Sequence, residues 1–87
     1  DATIAEDLMR ASLQAQEQAG VAPGILAATR FVLARSLVAD PRCPDAEARR
    51  SQARTLAETA LAAERLVPGH TAQVDAISAW LRAQAQR

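Results

Sequence analysis

Alanine fills 22 of the 87 positions of this chain, while Ile, Leu, Val, Met, Phe and Trp together fill only 20. That ratio is the tightest constraint on the fold. The apolar fraction of 49% overstates the core, because each alanine removes little area from water. Such a core holds only where helices approach closely, which alanine permits. A chain of this length makes one small domain, taken as residues 1–87, with modest stability of its own. It starts at Asp1 without a methionine, as expected of a fragment of a larger protein or a processed product.

Hydrophobic periodicity predicts four amphipathic helices and no strand. The first covers about 3–20. Thr3 and Glu6 have capping-box spacing, Ile4, Leu8, Ala11 and Ala15 make a stripe, and Gly20 ends it. The second covers about 24–39. Leu26, Leu33 and Leu37 line one side, Ile25, Ala28 and Val32 another, and Phe31 and Val38 a third. A helix apolar almost all round is expected to be the buried, central one. Acidic partners for Arg30 and Arg35 are expected at its edges. The third covers about 45–67, with Asp45 as N-cap. Ala53, Leu56, Ala60, Ala63 and Val67 form a seam of mostly small residues. Arg49, Arg50, Arg54, Glu58 and Glu64 mostly belong to the outer side. The fourth covers about 71–86, with Val74, Ile77 and Leu81 as its stripe and Trp80 beside them. Short loops set successive helices antiparallel in a compact array.

The chemistry-bearing residues are sparse. Formal net charge is zero, so no overall field draws nucleic acid or an anionic membrane. No apolar run approaches the roughly 18 residues of a membrane span. Cys43 is the single cysteine. It excludes an internal disulfide and a multi-cysteine zinc site, and it favours a reducing, cytoplasmic setting. His70 is the only histidine. Asp75, five residues on, is the nearest candidate in sequence and points elsewhere on a helix, so a structural or solvent-exposed corner histidine is expected rather than a ligand or base. No nucleophile motif or glycine-rich phosphate loop is present. No catalytic residue, metal or cofactor is expected. The run "RRSQAR", Arg49 to Arg54, is the best basic cluster, and a solvated helix face is favoured there over a nucleic-acid site. Trp80 reads as core before it reads as a binding anchor.

One corner carries more. In "ARTLAETALAAERLVPGHTAQVDAISAWL", Ala53 to Leu81, a helix with small residues stops at Pro68 and another starts within a few residues. This resembles the junction between tetratricopeptide repeats. Ala60 and Ala63 stand at the small packing positions and Pro68 at the repeat-ending proline. Val74, Ile77 and Leu81 stand at the large apolar positions of the next helix, and Ser78 at a small one. Upstream, "RFVLARSL" matches a first helix, with Leu33–Ala34 as its Leu-small pair. The sequence departs from the family in carrying Val74 where an aromatic belongs. It also has the long loop "DPRCPD" where the family has a tight turn.

The resemblance implies that first helices line a surface for a partner peptide or helix, with Phe31, Arg35, Asp75, Ala79 and Arg82 facing it. Arg35 and Arg82 would then take carboxylates. Ordinary surface ion pairs with Asp40 or Asp75 are an equal alternative. The expected fold is therefore all-α, tetratricopeptide-like or a four-helix bundle. The expected function is a non-catalytic protein–protein interaction module. Its rivals are an oligomerisation or docking domain that self-associates and a nucleic-acid-associated regulator.

Overall fold

The computed structural model describes residues 2–39 and 42–86, with side chains from Glu6 onward. It is all-α. The four helices are α1 (Ala2–Ala19), α2 (Pro23–Leu37), α3 (Ala46–Arg65) and α4 (Thr71–Ala85). Their bounds fall within about two residues of those read from periodicity.

The breaks have local causes. Gly20 has φ +70°, and its N–H donates to the carbonyl of Glu17 while that of Val21 donates to Gln16. This is the paired bonding of a Schellman cap, which requires a left-handed residue and so favours glycine. Pro23 opens α2, where its missing N–H costs nothing. Asp45 does stand at the N-cap of α3, but its side chain makes no capping bond. Its backbone carbonyl instead accepts from Arg49 N–H at 3.0 Å. Thr3 lies inside α1, with its side chain, like that of Ile4, outside the described residues. Glu6 is committed elsewhere, as shown below.

The centre is the antiparallel hairpin of α2 and α3, with α1 laid on α2 and α4 on α3. Ala27 and Ala34 of α2 and Ala53, Ala57 and Ala60 of α3 are all at 0% exposure. Five buried methyl groups bring the two helices together, and Leu33, Leu37, Leu61, Ile77 and Leu13 fill around them. The molecule is flat, 39 × 30 × 16 Å. Its helices alternate in depth. α1 and α3 flank a hollow floored by Leu33 of α2. α2 and α4 flank another, which Glu64 of α3 also lines.

Several sequence expectations need correcting. On α1 the inward face carries Glu6, Met9 and Leu13, whereas Leu8, Ala11 and Ala15 are exposed. α2 is central but not buried all round, since Ile25, Ala28 and Val32 are exposed. On α3, Arg49 and Glu64 face inward. Glu6, only 1% exposed, pairs with the Arg49 guanidinium, whose Nε–H also donates to the Leu37 carbonyl at 3.1 Å. One arginine therefore ties α1 and the end of α2 to α3. Arg30 meets Glu17 of α1 at 3.0 Å, an edge pair of the expected kind. The expected partner Asp40 lies outside the described residues.

The alanine contact makes a quantitative prediction. Ala57→Leu or Ala60→Leu overpacks the α2–α3 crossing and lowers stability by about 1–3 kcal/mol. Ala63→Leu, at a half-buried margin, costs less. Urea unfolding followed by circular dichroism measures all three, and equal stability of the first two with the parent contradicts the packing described.

Candidate functional site

The corner "LVPGH" shapes the most distinctive part of the surface. His70 N–H donates to the Val67 carbonyl at 3.3 Å, and Gly69 has φ +84°. Proline second and a left-handed glycine third are the signature of a type II turn. The turn folds His70 back over the end of α3, and its Nδ1 meets Glu64 Oε2 at 2.6 Å. Glu64 is 3% exposed, so the imidazole partners a carboxylate that would otherwise be buried alone, an expensive state. The first turn of α2 closes over this pair. A methyl group on Gly24 would lie 3.3 Å from His70 Cε1 and 3.9 Å from Glu64 Oε1. The glycine therefore allows the close approach. It also lets the carboxylate sit beside a helix N-terminus, which favours negative charge.

Outward from this pair runs a groove between α2 and α4. Ala28, Phe31, Val32 and Arg35 of α2 form one wall, and Gln73, Ala76 and Ile77 of α4 form the other, around a hollow of about 200 Å³. A second hollow adjoins it at Ala28 and is lined by Pro23, Ile25, Val67 and His70. Ile25 is 53% and Val32 38% exposed, and with Ala28 they make an apolar row at helical spacing along the rim. The Phe31 and Trp80 rings meet edge to face, 5.8 Å between centroids and 88° between planes, tying α2 to α4. The Arg35 guanidinium lies over Phe31 at 4.8 Å. Among the described residues it has no acidic partner.

Of the five residues that the sequence offered as a partner surface, Phe31 and Arg35 line the groove. Asp75, Ala79 and Arg82 are exposed on α4, but at 100° per residue they fall on the side opposite Gln73, Ala76, Ile77 and Trp80. The structure does not bring Arg82 to Arg35. Trp80, read as packing between α3 and α4, reaches α2 as well. Ile25, Ala28 and Val32 were visible in the sequence as an apolar side of α2, and the assumption that α2 is covered on every side hid their role. Glu64 was missed as the partner of His70. The available signal was a carboxylate and an imidazole six residues apart across a Pro-Gly turn.

No group of three or more His, Cys, Asp or Glu side chains suited to a metal occurs among the described residues. Cys43 is a half-buried free thiol in the loop before α3. No described helix is long and apolar enough to cross a membrane. With Arg49 turned inward, the basic run on α3 reduces at the surface to Arg50 and Arg54. No family model, curated protein or solved structure matches this chain.

The corner is testable on its own. His70→Ala strands the Glu64 carboxylate and costs about 1–3 kcal/mol. Adding Glu64→Met to that variant recovers part of the loss, because an apolar side chain replaces a charge without a partner. Urea midpoints of the single and double variants decide it. A neutral His70→Ala shows that the pair does not hold the corner.

Proposed function

We propose that this chain is a non-catalytic protein–protein interaction module whose α2–α4 groove holds an amphipathic segment of a partner. The observation that carries the reading is the exposed apolar row Ile25, Ala28 and Val32 beside the Phe31–Arg35 stack. A helix or extended peptide with large apolar residues would cover the row, and an acidic residue in it would meet Arg35. Arginine suits that contact because its planar fork donates two parallel hydrogen bonds. The alternation of helices between two faces supports a tetratricopeptide-like arrangement, in which α2 and α4 serve as first helices. A lone cysteine fits action in a reducing, cytoplasmic setting.

The rival reading, a self-associating bundle, draws on a different surface. Leu8 is 67% exposed on α1, next to exposed Ala11 and Ala15.

Selection from a displayed random-peptide library separates the two. Enriched peptides are expected to combine large apolar residues with Asp or Glu. Val32→Glu and Arg35→Glu are each expected to weaken the selected peptide about tenfold or more, with helicity intact. Sedimentation of the parent as a monomer over the same concentrations is part of the expectation. Dimerisation that Leu8→Glu abolishes, with no peptide enriched, would hand the case to the bundle.

A further inference from the structure

A separate cleft opens between the first turns of α3 and the last turns of α4. It measures about 510 Å³ and is lined by Glu47, Arg50, Arg54, Trp80 and Gln84, within the size range of small-molecule sites. Arg50 and Arg54 are exposed and one helical turn apart. Among the described residues neither has an acidic partner. Like charges at this spacing repel unless an anion lies between them. The side-chain oxygen of Gln84 is buried, and among the described residues it meets no donor. An acceptor in that position is costly unless something donates to it. Trp80 supplies an apolar surface in the same cleft.

We propose that this cleft binds a small organic monocarboxylate that has a flat apolar body and a hydroxyl or N–H donor. The carboxylate bridges the Arg50 and Arg54 guanidinium groups, the flat body lies on the Trp80 indole, and the Gln84 side chain turns from its buried position so that Oε1 meets the donor. Charge sets the choice of one carboxylate over a phosphate. Two arginines and Glu47 leave the cleft with a net charge of +1, which a monoanion balances. A doubly charged phosphate would overbalance that charge and face the Glu47 carboxylate, and it brings no flat apolar body to Trp80. The site and the α2–α4 groove have no lining residue in common, though Trp80 of the one touches Phe31 of the other, and the proposal does not rest on the function proposed above.

Trp80 is the only tryptophan, so its indole N–H gives a single ¹⁵N–¹H resonance that reports on the cleft. The probes are the three isomers of hydroxyphenylacetate, which step the hydroxyl away from the carboxylate. Phenylacetate, the matching hydroxyphenylacetamides and inorganic phosphate complete the set. At least one isomer is expected to shift the resonance saturably. Phenylacetate is expected to bind several-fold more weakly, and the amide about tenfold or more. Arg50→Gln with Arg54→Gln is expected to weaken the isomer by about tenfold or more, with the circular dichroism spectrum unchanged. Glu47→Gln is expected to tighten it, since a like charge has left. Val32→Glu is expected to leave it unaltered. The proposal fails if no isomer shifts the resonance. It also fails if phosphate or the amide matches the acid, or if the double arginine variant binds as the parent does.

Discussion

The close approach of α2 and α3 is the contact on which everything else rests. Ala27, Ala34, Ala53, Ala57 and Ala60 make it possible by having almost no side chain to keep the backbones apart. The contact has a consequence for energy. Methyl groups bury little area, so dispersion between closely packed backbones must replace the area term that leucines would give. The hairpin therefore tolerates volume changes poorly and gains from any polar contact that fixes its register.

Two such contacts sit at its ends. At one, Arg49 of α3 donates to the Leu37 carbonyl at the close of α2 and pairs with Glu6. At the other, Glu64 of α3 lies against Gly24 at the opening of α2 and pairs with His70. The positive group meets the C-terminal end of α2 and the negative group its N-terminal end, which complements the dipole of α2 at both ends. Because α2 and α3 run antiparallel, each charge sits at the unfavourable end of α3's own dipole. Their arrangement is understood only through the neighbouring helix. Each contact joins α3 to one end of α2, so a slip of one helix along the other would break both.

This explains what the sequence disclosed and what it hid. The four helices, their ends at Gly20 and Pro68–Gly69, and the dependence on alanine were legible, because each follows from local spacing or backbone chemistry. The inward direction of Arg49 and Glu64 was not, because on α3 alone both read as solvated charges. The exposed rows of α1 and α2 were misread for a related reason. Periodicity identifies an apolar face without saying which neighbour covers it, so Leu8 was assigned inward and Ile25 and Val32 were assumed covered. Of the candidate surface, Phe31 and Arg35 were found because they belong to α2, whose outward side is broad. The residues chosen on α4 lay half a turn away from the groove, since the orientation of α4 is set by Trp80 meeting Phe31 across the chain.

The order of packing, α1 on α2, α2 on α3 and α3 on α4, makes the molecule close to one-dimensional. In such an array each element is held mainly by its immediate neighbours, and the two end helices have a neighbour on one side only. Cooperativity then weakens outward from the middle hairpin. Amide protons of α2 and α3 would exchange by global opening, while those of α1 and α4 would exchange through partial fraying that leaves the centre folded. Anything bound between α2 and α4 would close one of those fraying routes, so occupancy and cooperativity would rise together.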